Sequence, residues 1–180
     1  RGLSRRQRRS LNAIDITWLD VEEPGILTIS KVLAWWRVAA QSRGYTHAAK
    51  VDDDTFVHVP NLLADLAPVA AASPHLCYGP MAYAGYNPST FHMCGWSWQH
   101  TMGPWKARKC KSRGMVPPFP FPLGALQLLS LSLVRAVGTS SDVSAFSIAA
   151  NASESLKHRE SNEDVALGYW IWRLAKAENM

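Results

Sequence analysis

The sequence predicts a mixed α/β domain. Its 180 residues are enough for one hydrophobic core, and 47% apolar with 18% charged residues is typical of a globular protein. Stretches with strand-like and helix-like apolar spacing alternate, and we find no internal repeat and no sustained heptad pattern. No apolar run approaches the roughly 20 residues of a membrane-spanning helix. The chain itself is therefore not predicted to cross a bilayer.

The positive charge is concentrated at the N-terminus. Residues 1–10 hold five of the 19 basic residues, and 14 basic and 14 acidic residues remain without them, although the chain carries a net charge of +5. Such an arm could bind nucleic acid or acidic lipid, or act as a nuclear signal. We interpret it as a solvated linker and expect no nucleic-acid partner. Residues 11–180 then form the domain.

The first predicted elements are a short strand over Ala13–Leu19, an acidic turn over Asp20–Gly25 and a helix over Ile26–Arg43. Apolar residues in the helix recur at i, i+3 and i+4, which is the pattern of an amphipathic helix. Gly44 supplies the left-handed residue that ends many helices.

A second strand and an acidic triplet come next. Tyr45–Val51 is predicted as a buried strand, and Asp52, Asp53 and Asp54 follow it directly. Because the order strand, helix, strand supplies a helical crossover, parallel pairing is expected within a three-layer unit. Thr55–Val59 is predicted to be extended, and a short helix begins at Pro60, limited by Pro68.

Pro74–Pro122 is rich in turns and aromatic residues, which predicts a functional loop system rather than a second core. Its tryptophans, Trp96, Trp98 and Trp105, are candidates to stack on a ligand. The alternative is that these aromatic residues serve packing.

The remaining chain predicts two helices and one strand. Gly124–Leu129 is predicted as a buried strand, and Leu131–Val137 as a helix that Gly138 ends. Thr139–Ser155 is weakly patterned and is predicted as a loop. A last helix is predicted over Glu163–Lys176.

The acidic triplet is a candidate ligand-binding site. Three adjacent carboxylates repel one another, and a divalent cation compensates them well. Mg²⁺ and Mn²⁺ are usually held by one or two carboxylates plus substrate phosphates, so the triplet indicates a phosphorylated substrate. The alternative is a solvated acidic turn. An aspartyl phosphohydrolase is disfavoured because Phe56 stands where D-x-D-x-T requires threonine.

Asp164 has two interpretations. Ser161 and Asp164 form an S-x-x-D capping pattern, and acidic residues are favoured in the first turn of a helix. A catalytic base can occupy the same position, because a helix start that faces a cleft holds a carboxylate rigidly.

The three cysteines follow no C-x-x-C spacing, which disfavours a zinc knuckle. If the domain is luminal, we expect a Cys94–Cys110 disulfide that leaves Cys77 buried and free. Three reduced thiols are the alternative.

Four motifs follow one another along the chain: DITWLDVEEPGILTISKVLAWW, KVDDDTFVHVPNLLADL, PFPLGALQLLS and NEDVALGYW. Together they resemble the β-1,3-galactosyltransferase-like (hexosyltransferase) family of Golgi glycosyltransferases. By this resemblance, Trp96, Trp98 and Trp105 are candidates to stack on sugar rings. The resemblance covers roughly residues 14–174. The segment CYGPMAYAGYNPSTFHMCGW is similar to plant and algal members.

The resemblance implies a partial GT-A fold, a mixed sheet flanked by helices, that uses a UDP-sugar donor and Mn²⁺ or Mg²⁺. Asp54 would ligate the metal, and Asp52, Asp53 and Gly124 would bind the nucleotide sugar. Asp164 would be the base that deprotonates the acceptor, facing Asp54 across one cleft. Members invert the anomeric carbon as they transfer a hexose to a glycan or glycoprotein hydroxyl, here in β-1,3 linkage.

The resemblance also implies a luminal location at the Golgi membrane, through a type II anchor expected upstream of residue 1. The first nucleotide-binding strand and helix are expected there too. The Gly-rich segment of the family is reduced to Gly124, and no histidine matches the position of a metal ligand. The alternative function is a noncatalytic sugar- or nucleotide-binding module with the same fold.

Overall fold

The computed structural model describes Leu19, Val21, residues 28–97, Arg108, Cys110, Lys111, and residues 114–152 and 163–178. The basic arm and nearly all of the predicted strand Ala13–Leu19 lie outside these residues. Within them, five helices and two three-stranded antiparallel sheets make a mixed α/β fold. The elements are α1 (Ile29–Gln41), β1 (His47–Lys50), α2 (Val59–Ala70), β2 (Cys77–Tyr78), β3 (Met81–Asn87), β4 (His92–Ser97), β5 (Val116–Pro122), β6 (Gln127–Ser130), α3 (Leu131–Thr139), α4 (Ser141–Asn151) and α5 (Glu163–Glu178). None of these helices combines the length and the apolar character that crossing a membrane requires.

The first sheet has β6 at its centre, paired antiparallel with β1 and β2. All four residues of β6 are buried, whereas all four of β1 are half-buried because β1 is an edge strand. The prediction of a buried strand over Tyr45–Val51 is therefore wrong. The strand Ala13–Leu19, which was expected to pair with it in parallel, lies almost entirely outside the described residues, and the pairing that is described for β1 is antiparallel, with β6. In the β1–β6 register Lys50 lies opposite Gln127, so both side chains lie on the same face of the sheet.

The second sheet occupies the region that was predicted to be a loop system. Its strand order is β4-β3-β5, and Tyr86, Phe119 and Phe121 from it are almost fully buried in the main core. The prolines of β5 are tolerated because β5 is an edge strand. The loop prediction for Pro74–Pro122 is therefore wrong for β3, β4 and β5, where alternating aromatic residues mark a pleated, half-buried surface, whereas residues 98–107 lie outside the described residues.

The helices α1, α3 and α4 pack together on one side of the core. The predicted first helix is confirmed over Ile29–Gln41, with Trp36 completely buried. The predicted third helix is also confirmed, but it continues through Gly138 to Thr139.

The prediction of a loop over Thr139–Ser155 is wrong for Ser141–Asn151, which forms α4. The hydroxyl of Ser140 accepts a hydrogen bond from the Val143 amide at 3.2 Å and caps this helix. Val143, Phe146 and Ala150 then bury one stripe. The sequence did not indicate this helix, because the low helix propensity of its many serines outweighs the short apolar pattern.

The last predicted helix is confirmed as α5, which packs against β5. A Cβ atom added at Gly168 would lie 2.3 Å from the Cβ of Phe121, so only glycine allows this close approach. The contact holds the first turn of α5, where Asp164 lies, against the β5–β6 connection.

The helix α2 is mostly exposed. Leu66 is its one buried residue, whereas Val59 and Leu63 are 56% and 61% exposed. Pro68 lies inside the helix rather than ending it, and the helix continues to Ala70. Thr55 to His58 lacks regular structure and carries Phe56 with 87% of its surface exposed.

The predicted disulfide is confirmed. Cys94 and Cys110 are bonded, with Cα atoms 5.7 Å apart, and they link β4 to the segment before β5. Cys77 is free but half-buried rather than buried. Desolvation raises the pKa of its thiol to about 12, so Cys77 is expected to react slowly with alkylating reagents.

We predict that removing the Cys94–Cys110 bond by the double substitution Cys94→Ala and Cys110→Ala lowers the free energy of unfolding by about 2 to 4 kcal/mol. The reason is that the bond closes a loop with a sequence separation of 16. Urea unfolding of the oxidised wild type and the variant measures this, with Cys77→Ala as control. Equal stabilities would contradict the prediction.

Candidate active site

The acidic turn, Asp52–Asp54, lies directly beyond the edge strand β1. The Thr55 amide donates to the Asp52 carbonyl at 3.1 Å, which closes the turn. Asp52 is half-buried, whereas Asp53 and Asp54 are exposed. The prediction that these residues lie in a turn at a strand end, outside any helix, is confirmed.

Gly124 joins the acidic turn to Asp164. The Asp52 amide donates to the Gly124 carbonyl at 3.0 Å, and the Gly124 amide donates to Asp164 Oδ2 at 2.7 Å. We call these two hydrogen bonds the Gly124 bridge. A Cβ atom at position 124 would lie 2.2 Å from Asp52 Oδ2, so a side chain here would displace the Asp52 carboxylate.

Asp164 is held by two N–H donors from the neighbouring connection and strand. Its Oδ2 accepts from the Gly124 amide, and its Oδ1 accepts from Gln127 Nε2 at 2.6 Å. Both partners lie outside α5, so the carboxylate contacts more than its own helix start. Ser161, the other half of the predicted capping pattern, lies outside the described residues.

The surroundings of Asp164 raise its pKa from 3.8 to about 6. Burial is the largest cause, followed by the negative charge of Glu163, with a smaller contribution from Asp52. The Gly124 hydrogen bond and the Lys50 charge act in the opposite direction. A carboxyl group with a pKa near 6 is mostly ionised at neutral pH but takes a proton readily.

Lys50 is the cation of this cluster. Its Nζ lies 2.5 Å from Asp52 Oδ1, 3.9 Å from Glu163 Oε1 and 4.0 Å from Asp164 Oδ1. Sequence analysis missed this residue, although strand alternation indicates that positions 50 and 52 share a face. Three carboxylates around one ammonium leave the cluster negative, which agrees with the raised pKa of Asp164.

Gln127 was also missed. It is completely buried, and its Nε2 donates to Asp164 and to the Pro122 carbonyl at 3.3 Å. The signal in the sequence is a single amide within the apolar run LGALQLLS. A polar residue buried in a central strand needs hydrogen-bond partners, and here the partner is the candidate base.

A cavity of about 460 Å³ opens beside the acidic turn. Its lining includes Lys31, Trp35, Lys50, Asp52, Asp53 and Glu163. The indole N–H of Trp35 is buried and has no hydrogen-bond partner among the described residues. The cavity is therefore large enough for a small polar ligand and combines both charges with an indole.

Asp54 lies at the exposed end of the turn, where the Thr55 hydroxyl donates to its Oδ1 at 3.5 Å. The member of the acidic turn that contacts the Asp164 network is Asp52, and the facing of Asp54 and Asp164 across one cleft stays a prediction. Of the aromatic candidates, Trp98 and Trp105 lie outside the described residues, and so does the side chain of Trp96. The described residues contain no group of three or more His, Cys, Asp or Glu side chains arranged to hold a metal ion.

We predict that Gly124→Ala displaces the Asp52 carboxylate, because the new Cβ overlaps it. The loss of stability should be small, because the Asp52 carboxylate is the half-exposed end of a flexible side chain and can move. Carboxyl carbon NMR signals of Asp52 and Asp164 should both shift. The control for these signals is Gly44→Ala, whose Cβ meets no atom within 4 Å; it should lower stability through its left-handed φ of 84° but leave both signals unmoved. Unmoved signals in the Gly124 variant would contradict the prediction.

We predict that Asp164 makes stability fall as pH rises from about 4 to 6. In this range the folded state holds a proton that the unfolded chain has released, because the folded pKa is the higher one. The shift corresponds to about 3 kcal/mol at most. Urea unfolding at several pH values should show the wild type losing this amount relative to Asp164→Asn. A constant difference, or one of the opposite sign, would contradict the raised pKa.

Comparison of the chain with protein-family models, with curated protein sequences and with solved structures found no match.

Proposed function

We propose that this chain is the catalytic core of an inverting, metal-dependent hexosyltransferase with a GT-A fold. It would move a hexose, galactose or N-acetylhexosamine, from a UDP-sugar to a glycan or glycoprotein hydroxyl in β-1,3 linkage. The observation that carries the proposal is the Gly124 bridge, which holds a half-buried carboxylate of raised pKa next to an acidic turn. The sequence motifs indicated the acidic turn and Asp164 separately, and they gave no hydrogen-bonded link between the two.

Asp164 suits the role of general base. An acceptor hydroxyl must lose its proton as it attacks, and a carboxylate with a pKa near 6 is ionised at neutral pH yet basic enough to accept it. Two N–H donors hold the carboxylate in place, and it retains lone pairs for a substrate proton. A rigid base is what in-line displacement at a sugar carbon requires.

The exposed end of the acidic turn fits a divalent cation. Asp53 and Asp54 offer exposed carboxylate oxygens, which are the ligands that Mn²⁺ and Mg²⁺ prefer. Asp54 would hold the metal, and the diphosphate of the donor would complete the coordination. When bound, the metal would stabilise the negative charge of the leaving diphosphate.

The cavity beside the turn supports a donor site for the nucleotide sugar. Asp52, Asp53 and Trp35 line it, which supplies two carboxylates and an aromatic ring to a ligand. The backbone of Gly124 is engaged with Asp52 and Asp164, so we assign it to the link between the donor side and the base. Donor contact by Gly124 stays a prediction.

A noncatalytic sugar- or nucleotide-binding module is the second candidate. The observation that favours it is Lys50, which already compensates Asp52 and lies within 4.0 Å of Asp164. An internal cation of this kind reduces the need for a metal ion. Titration of a UDP-sugar with Mn²⁺, combined with a transfer assay, separates the candidates, because a module binds without any transfer.

The proposal entails a luminal location at the Golgi membrane with the membrane anchor outside this chain. The Cys94–Cys110 disulfide supports an oxidising compartment, since such bonds are rare in the reducing cytosol.

We predict that Asp54→Asn and Asp164→Asn have different effects on the full chain. Asp54→Asn should weaken Mn²⁺-dependent binding of a UDP-sugar, measured by calorimetry. Asp164→Asn should preserve that binding and lower the transfer rate about 10² to 10⁴-fold, because a general base is lost.

Asp142→Asn is the matched control, since Asp142 is an exposed carboxylate of α4 whose partner, Arg173, lies nine residues along α5 from Asp164. It should leave binding and transfer unchanged. Near-normal transfer by Asp164→Asn would refute the assignment of the base.

A further inference from the structure

Gln127 is the most deeply buried polar side chain next to the candidate base. It lies at the start of the central strand β6 and has no exposed surface. Strand β1 pairs with β6 beside it, and Lys50 of β1 lies directly opposite Gln127 in the register. Burying an amide in this way is unfavourable unless its hydrogen bonds are made.

The two hydrogen bonds of the Gln127 amide group are both donations. Nε2 donates to Asp164 Oδ1 at 2.6 Å and to the Pro122 carbonyl at 3.3 Å. Together with the Gly124 amide, this gives each oxygen of Asp164 one N–H partner. The carboxylate plane is thereby held from two sides.

The carbonyl end of the same amide has no partner among the described residues. Rotation of the terminal amide by half a turn would exchange Nε2 and Oε1, because the two ends have the same shape. Oε1 would then face Asp164 Oδ1 as an acceptor. A carboxylate cannot use that acceptor, but a protonated carboxyl group can.

We infer that Gln127 is a positioning residue that holds Asp164 in both of its protonation states. It donates to the carboxylate before proton transfer and, with its amide rotated, accepts from the carboxylic acid afterwards. The catalytic part of this inference rests on the proposed hexosyl transfer.

The bond changes of that transfer balance without another reactant. The acceptor O–H bond breaks and its proton passes to Asp164, while the acceptor oxygen forms a bond to the anomeric carbon. The bond from that carbon to the diphosphate breaks, and its electron pair leaves with the diphosphate. The acceptor hydroxyl loses the proton that Asp164 gains, so the residue that holds Asp164 must suit both its charged and its neutral form.

The other charged groups around Asp164 cannot supply this function. Lys50 faces it from β1 at 4.0 Å, beyond hydrogen-bond distance, and Glu163 on its own helix and Asp52 in the acidic turn are both negative. The Gly124 amide is a donor only. Gln127 is therefore the direct contact that can reverse its role.

The test uses the full chain and the variant Gln127→Met, which has similar length but no hydrogen-bonding group. We expect kcat for transfer to fall about 10 to 10²-fold, because the base loses its orientation. KM for the UDP-sugar and Mn²⁺-dependent donor binding should not change. The NMR titration midpoint of the Asp164 carboxyl should rise. The amide keeps its Pro122 bond when it donates to the charged form but gives that bond up when it rotates to accept from the neutral form, so the charged form loses more.

Leu128→Met is the matched control, since Leu128 is the next residue of β6, is also buried and points to the opposite face. It should leave both kcat and the Asp164 titration unchanged. Gln127→Asn keeps the amide but is one methylene too short to reach Asp164. If Gln127→Met does not fold, Gln127→Asn provides the same two measurements.

The outcomes separate this inference from the proposed function. A folded Gln127 variant with normal kcat and an unchanged Asp164 titration would overturn the inference. If the wild type shows neither transfer nor donor binding, the proposed function fails. The Asp164 titration then decides the positioning role alone, because a raised midpoint supports it and an unchanged midpoint overturns it.

Discussion

The structure of the site depends on one backbone residue, Gly124, which hydrogen bonds to two acidic segments at once. Its carbonyl accepts from the amide of Asp52, and its amide donates to the carboxylate of Asp164. Any side chain at this position would occupy the space of the Asp52 carboxylate. The constraint is therefore steric as well as polar, because without a Cβ atom Gly124 leaves the Asp52 carboxylate in the position where it contacts Lys50. Gly124 reaches Asp52 and Asp164 because the connection between β5 and β6 lies between the acidic turn and the start of α5.

The electrostatics follow from this crowding. Asp52, Glu163 and Asp164 surround the single ammonium of Lys50, and burial adds a desolvation cost for the charge of Asp164. Lys50 and the Gly124 amide limit the rise in the pKa of Asp164 without cancelling it. The balance leaves Asp164 with a pKa of about 6, which suits a group that accepts and releases protons near neutral pH. A structural ion pair would instead lower the pKa, as an isolated Lys–Asp contact does.

The aromatic region supports the site instead of forming it. Phe119 and Phe121 of β5 and Tyr169 of α5 belong to one core, with Phe119 and Tyr169 in ring contact. The helix α5 packs closely on β5 because Gly168 leaves room for Phe121. Rigid packing of this kind limits the motion of the first turn of α5. Asp164 is thereby held by a tightly packed core rather than by a loop.

Short-range patterns in the sequence determined the mixed fold class, the helices α1, α3 and α5, and the acidic turn after a strand. They misassigned α4 and the second sheet, because serine-rich and aromatic segments have local preferences that tertiary packing overrides. The network around Asp164 was decided by tertiary structure alone. Gln127 and Gly124 lie 37 and 40 positions from Asp164 in the chain, and the antiparallel β1–β6 register brings Lys50 opposite Gln127. Periodicity and spacing cannot encode such contacts, because they depend on which strands pair and in which register.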